Sequence, residues 1–267
     1  MISVVIITKN EEDLIRISLE SVKWADEIIV IDNGSTDKTV EIAKSYTDKV
    51  FIVNEEGFNA RRVKGMEEAK GDWVLYVDAD ERVLKPLQEE IRELVQSNNY
   101  SAYALSRRNI IFGKEQKYNA FWPDWVIRLI KKDDFIDWVG EVHEYVTFKG
   151  KLGYSKNSLL HLTHRGLDQI VIKSLEWSKI DAKLRMNADH PKMTGWRFVR
   201  LLITETFNQG IKRGGFLNGT ISTMDSILQT FSLLMTYIRL WEIQQPKTLG
   251  ETYKEIDKKL IESDFKY

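Results

Sequence analysis

The sequence predicts an α/β fold: a mostly parallel sheet flanked by helices, followed by a helical extension. Three observations predict it. Short apolar, β-branched runs alternate with helix-forming stretches over the first eighty residues, the pattern of strands covered on both faces. Three polar clusters, at residues 8–11, 32–37 and 78–81, each follow directly on such a run. Sheets of this kind bind ligands beyond the carboxyl ends of their strands. The last hundred residues carry long helical patterns instead.

The elements follow in order. Residues 3–7 (Ser-Val-Val-Ile-Ile) are the first strand. Asn10 is placed to cap a helix whose first turn carries Glu11, Glu12 and Asp13, with Ile15, Leu19 and Val22 as its apolar stripe. Residues 27–31 are the second strand. A loop, Asp-Asn-Gly-Ser-Thr-Asp, spans 32–37, with Gly34 free to take positive φ. Asp37 is placed to cap a helix over 39–46. Residues 50–53 are the third strand, 58–69 a helix ended near Gly71, and 73–77 the fourth strand. Residues 103–107 and 126–130 read as strands, and the aromatic loop between them, 119–125, suits stacking on a sugar. Helical patterns cover 168–186, 196–208 and 221–241, broken at Gly210, Gly214, Gly215 and Gly219, and the charged tail from 246 reads as a peripheral helix.

Composition narrows the function. The 267 residues suit one large domain, or one domain with an extension, and the boundary falls near 165. A net charge of −1 gives no electrostatic case for nucleic acid. Without Cys there is no thiolate metal site or nucleophile. The N-terminus lacks a signal-peptide pattern and no run of about 18 apolar residues occurs, so a cytoplasmic protein is expected.

The chemistry gathers at the end of the fourth strand. After Trp73-Val74-Leu75-Tyr76-Val77 come Asp78, Asp80 and Glu81. Crowded carboxylates repel unless a cation sits among them, and oxygen ligands suit a hard ion, Mg2+ or Mn2+. Gly-x-Gly-x-x-Gly is absent after the first strand, and the phosphate-loop motif is absent altogether. That disfavours a dinucleotide dehydrogenase and a P-loop NTPase.

Residues 3–11, 31–37 and 71–81, in this order and spacing, resemble family 2 glycosyltransferases of the GT-A fold over residues 1 to about 165. The resemblance implies a nucleotide-sugar donor, UDP-linked by expectation, a divalent metal, and inversion at the anomeric carbon. It implies that Thr8, Asn10 and Glu11 line the nucleotide site and that Asp32 meets the base. It places Arg62 near the diphosphate, Asp80 on the metal, and Asp78 near ribose and metal. It also adds His161 to the metal shell; read from its apolar surroundings alone, His161 is a packed structural residue. The stretch Val142-His143-Glu144 is similar to a lipopolysaccharide-core glucosyltransferase subgroup and implies Glu144 as the general base. Strand alternation puts Glu141 and His143 on one face and Glu144 on the other, so Glu141 stays open as the alternative.

Two readings of residues 166–267 remain. Arg197 and Arg200, with Phe231, Leu234 and Trp241, suit an interfacial surface that receives a glycolipid acceptor at the inner face of a membrane. A helical subdomain packed on the sheet domain, or a homodimer contact, shows the same pattern. The expected function is hexosyl transfer to a glycan or glycolipid in cell-envelope polysaccharide or lipopolysaccharide synthesis. A nucleotidyltransferase and a noncatalytic nucleotide-sugar-binding domain are the alternatives.

Overall fold

The structure is a computed structural model and describes residues 1–54, 58–97, 99–117, 122–140 and 145–265. The chain divides into two compact units, Met1–Arg165 and Gly166–Tyr267.

In the first unit, β1 (Ile2–Thr8), α1 (Ile15–Val22), β2 (Glu27–Asp32), α2 (Thr39–Lys44), β3 (Val50–Ile52), α3 (Phe58–Glu68) and β4 (Trp73–Asp78) alternate as the apolar runs predict. There follow β5 (Glu81–Arg82), α4 (Lys85–Leu94), β6 (Ala102–Ile111), β7 (Lys114–Gln116), β8 (Asp124–Lys131), β9 (Phe135–Val139), β10 (Tyr145–Phe148) and β11 (Leu152–Thr163). The main sheet has the order β3-β2-β1-β4-β8-β6-β11-β5, with β7 paired to β6. The first four strands are parallel, β8 runs against both of its neighbours, and β11 is parallel to β6.

Burial explains the unbroken apolar runs. In β1, Val4 and Ile6 pack into one core with α1 residues Ile15, Leu19 and Val22, while Val5 and Ile7 pack into a second with Met66, Tyr76 and Trp138. Both faces of the strand are covered, so both parities must be apolar.

The order of the strands also makes the site. The β4–β8 ladder runs through Trp73, Val74 and Leu75. Beyond Leu75 the two strands are joined by side chains, and the last residue of β4 is Asp78.

Several local expectations are corrected. α1 begins at Ile15, not after Asn10; the chain first turns, with the Leu14 and Ile15 amides donating to the Glu11 carbonyl. Asn10 takes φ +53° and uses its side chain elsewhere. Asp37 accepts from the backbone N–H of Thr39 at 3.0 Å, although the residue flanking α2 is Lys38. β9 ends at Val139 and β10 starts at Tyr145, antiparallel to it; the stretch expected to alternate, 141–144, lies outside the described residues. α4, with Pro86 in its first turn and Leu87 and Ile91 buried, has no counterpart among the expected elements.

The second unit consists of α5 (Leu167–Asn187), α6 (Gly195–Phe207), α7 (Thr220–Ile243) and α8 (Leu249–Glu262). Ala182, Met193 and Leu240 form its small core, with Phe198 and Tyr237 packed on them. A capping box of Thr248 and Glu251 starts α8. Gly214 takes φ +78° in the break before α7, where a side chain would be strained. Among the described residues no helix is long and apolar enough to cross a membrane.

Candidate active site

The three polar clusters meet at the carboxyl end of the sheet, and hydrogen bonds latch the first two together. In parallel register, Thr8 at the end of β1 lies beside Asp32 at the end of β2. The Asn10 N–H donates to Ser35 Oγ and the Thr36 N–H to Asn10 Oδ1, both at 2.8 Å. The Glu11 N–H donates to Thr39 Oγ1 at 2.8 Å. Glu12 and Asp37 reciprocate, each carboxylate accepting from the opposite loop, at 2.9 and 3.2 Å. Asp37 is held below the usual carboxylate range: burial works against its charge, but the bonds from Thr39 and Glu12 outweigh it. Asn is suited to position 10 because it tolerates the left-handed region while its amide bonds locally.

Asp32 is fully buried and closes its own turn, accepting from the Ser35 N–H at 2.8 Å and the Ser35 hydroxyl at 2.5 Å. Thr8 is buried, and its Oγ1 has no hydrogen-bond partner among the described residues. A buried hydroxyl without a partner costs about 1–3 kcal/mol. It sits at the strand end where a ligand would supply the bond.

Asp78 is gripped from two sides. Arg62, on α3, approaches Asp78 Oδ1 at 3.4 Å. Its guanidinium lies 4.9 Å from the Trp138 ring and 5.6 Å from the Tyr76 ring, and the Tyr76 hydroxyl donates to its backbone carbonyl at 2.6 Å. Arg62 is therefore fixed by aromatic faces as well as by charge. Arg128, on β8, donates to Asp78 Oδ2 and, at 3.0 Å, to Glu81 Oε1. Glu81 is fully buried, and its other oxygen accepts the Asp78 N–H at 3.0 Å. Burial opposes the charge on Asp78, but Arg128 and Arg62 outweigh it and hold the carboxyl well below the usual range. Burial likewise opposes the charge on Arg128, and Asp78 and Glu81 push its pKa up. Arg128 is a residue that sequence reading misses. Its one signal is a cation inside the apolar run Val126-Ile127-Arg128-Leu129-Ile130.

Asp80 turns the other way. His161, on β11, stands opposite Glu81 of β5, and its Nε2 lies 3.4 Å from Asp80 Oδ2. The His161 Nδ1 is 2.6 Å from Asn109 Oδ1. Asn109 donates its amide to Asp124 at 3.0 Å, so its oxygen faces the histidine. Nδ1 then carries a proton, and in the neutral ring the Nε2 lone pair faces the carboxylate. Two electron-rich atoms in that position fit a shared cation. One oxygen and one imidazole nitrogen are ligands that Mg2+ or Mn2+ accepts, with the rest of the shell left to substrate and water. Among the described residues no group of three or more His, Asp or Glu side chains forms a closed metal cage.

The structure thus brings Thr8, Asn10, Glu11, Asp32, Arg62, Asp78, Asp80 and His161 to one end of the sheet. Glu141 and Glu144 lie outside the described residues.

The mostly parallel sheet sets these acidic groups beyond its strand ends, the arrangement of a GT-A fold. The chain belongs to glycosyl transferase family 2, whose profile matches residues 3–152. It is 30% identical to an uncharacterised glycosyltransferase of Rickettsia conorii over 95% of both chains. It is 27% identical to the lipopolysaccharide core biosynthesis glycosyltransferase LpsC of Rhizobium meliloti, over 86% of this chain and 89% of that one. A solved structure of glucosyl-3-phosphoglycerate synthase from Mycobacterium tuberculosis, with Mn2+, UDP and product, is 25% identical over 40% of this chain and 44% of that one, with a TM-score of 0.36.

The Arg128 bridge makes a prediction. Arg128→Met leaves two carboxylates together without their shared cation, and urea unfolding at neutral pH should show a loss of about 3–5 kcal/mol. Asp78 has a depressed pKa in the folded state. Its contribution is complete above the ordinary carboxylate range and fades as pH falls toward the folded value. The deficit of Arg128→Met should therefore shrink on acidification, and adding Glu81→Gln should restore part of it at neutral pH. A deficit independent of pH would show that Arg128 acts through packing alone.

Proposed function

We propose that this glycosyltransferase is an inverting hexosyltransferase that uses a UDP-linked donor and extends a glycan or glycolipid of the cell envelope. The carrying observation is the Asp80–His161 pair beside an Asp78 already neutralised by arginines. Thr8, Asn10 and Glu11 line the nucleoside end, and Asp32 shapes that end through its turn. Asp80 and His161 hold a divalent ion, and Asp78 keeps Arg62 and Arg128 aimed at the diphosphate. A Mg2+ or Mn2+ ion bound there would neutralise charge on the departing diphosphate. Arg62, fixed before the donor arrives, supplies donors to phosphate oxygens without reorganising.

In the reaction, the acceptor hydroxyl attacks the anomeric carbon from the side opposite the diphosphate. The bond from that carbon to the diphosphate oxygen breaks, and its electron pair leaves with UDP. A carboxylate, Glu144 or alternatively Glu141, takes the hydroxyl proton. The donor test is thermal. UDP with Mn2+ should raise Tm, as any ligand of the folded state does, and Asp80→Ala should abolish the metal-dependent part. Equal stabilisation of both proteins, with and without metal, sinks the role of Asp80.

The base is tested separately. Glu144→Gln should keep donor affinity and lower the transfer rate by roughly 100-fold or more. If it stays near wild type while Glu141→Gln is inactive, Glu141 is the base. Formation of a nucleoside diphosphate sugar with release of pyrophosphate would identify a nucleotidyltransferase instead.

The similarity to LpsC favours a lipid-borne acceptor, and an exposed apolar face in the second unit supports that reading. On α6, Trp196, Val199, Ile203 and Phe207 recur on one helical face and are all exposed, Trp196 by 71%. Arg200 and Arg197 border that face on one side, where they also line a small cavity with Leu201, Thr204 and Tyr237. An apolar face bordered by arginine suits an anionic lipid surface. Vesicles rich in anionic lipid should co-sediment the protein, and high salt should weaken the binding. Arg197→Glu/Arg200→Glu should reduce it and leave UDP binding intact. If vesicles are ignored at low salt and the double variant is silent, the extension is a packing or dimer element, and a soluble glycan or a protein is favoured as acceptor over a membrane lipid.

A further inference from the structure

We infer that Asn109 is a positioning residue for His161: it fixes the imidazole tautomer and ring orientation that leave Nε2 open to a divalent cation, and Asp124 and Arg107 hold it in place. This rests on the metal reading above and goes beyond it, because it assigns a role to three residues that touch neither donor nor cation.

The chain of contacts follows strand register. In the parallel β6–β11 ladder, Asn109 is the partner of His161. In the antiparallel β6–β8 ladder, Arg107 is the partner of Asp124. Asn109 is almost wholly buried, at 2% exposure. Its Nδ2 donates to Asp124 Oδ2 at 3.0 Å, and the same oxygen accepts from Arg107 Nε and Nη2, each at 2.9 Å. A carboxylate has no proton to give here, so it admits only the amide nitrogen of Asn109. The opposite end of the amide is then an oxygen, 2.6 Å from His161 Nδ1. An oxygen acceptor selects the Nδ1–H form of the neutral ring. The remaining lone pair is on Nε2, which faces Asp80.

The arrangement closes on itself. Arg107 Nη1 reaches Glu81 Oε1 at 3.7 Å, and Glu81 shares Arg128 with Asp78. Asp78 and Asp80 are thereby joined through β5, β6, β8 and β11. A displacement of Asn109 would free His161 to rotate or to take its proton on Nε2, where it would block a cation. Partners behind a ligating histidine act in this way, and their loss typically weakens metal affinity by about 10–100-fold.

The test has two readouts that do not depend on turnover. First, nitrogen-15 NMR of the metal-free wild type should show His161 as the Nδ1–H tautomer; the chain has only 4 His to assign. A proton on Nε2 overturns the inference without any variant. Second, Mn2+ binding in the presence of UDP is titrated by EPR. Asn109→Leu should bind Mn2+ about 10–100-fold more weakly, with His161 losing its single tautomer. The exchange variant Asn109→Asp/Asp124→Asn keeps an oxygen facing His161 and an amide behind it, and should recover most of the affinity. Wild-type Mn2+ affinity in Asn109→Leu overturns the inference. So does an exchange variant no better than Asn109→Leu, which would mark a packing role only. If the wild type itself binds no Mn2+, the metal reading falls, and the tautomer alone decides whether Asn109 sets the ring.

Discussion

Arg128 is the group on which the site depends. Two carboxylates, Asp78 and Glu81, sit at the end of a strand buried on both faces, and one guanidinium answers both. Without it, burial and mutual repulsion would drive one of them to protonate or the strand end to open. With it, three strands are tied where their backbone ladders have parted: β4 carries Asp78, β5 carries Glu81 and β8 carries Arg128. Asp80 lies on the other side of this bridge, with its Oδ2 3.4 Å from His161 Nε2. The division of labour follows from geometry. Asp78 is bound by two arginines, whereas Asp80 faces an imidazole nitrogen.

The rest of the first unit serves that opening. Apolar packing on both faces of β1 and β4 delivers the polar clusters to the same end of the sheet. The latch between Asn10–Glu12 and Ser35–Thr39 makes one rigid wall of two loops that are separate in sequence. Arg62 is set by aromatic faces, so it does not have to be ordered when a diphosphate arrives. Preorganisation of this kind is where electrostatic catalysis gains most.

Much of the fold was legible in the sequence, because strands buried on both faces leave unbroken apolar runs and the ligand end of such a sheet collects polar residues. The places of Asp78, Asp80 and the first two loops were legible for the same reason, while Arg62, on α3, was placed by the family resemblance. The individual jobs were not. Asn10 sits where a helix cap belongs, yet its amide bonds a loop 26 residues away. Arg128, Asn109 and Asp124 read as ordinary strand residues because their partners come together only through register. His161 read alone is a packed histidine; its meaning depends on which atom of Asn109 faces it, and Asp124 decides that. α4 was not legible because its apolar stripe is narrow: Leu87 and Ile91 are buried in an otherwise largely charged segment, together with Glu90. The glutamates offered as base, Glu141 and Glu144, lie outside the described residues.

The central claim is that the end of β4 holds a sugar nucleotide through Asp80, His161 and a divalent cation for transfer of the sugar. Release of UDP from a panel of UDP-hexoses, with Mn2+ and with a chelator, tests it most directly. The account predicts that at least one donor yields UDP and a free or transferred hexose with Mn2+ present. It also predicts that the chelator, Asp80→Ala and His161→Ala each suppress that release. Release that is unchanged by the chelator and by both substitutions would contradict the account.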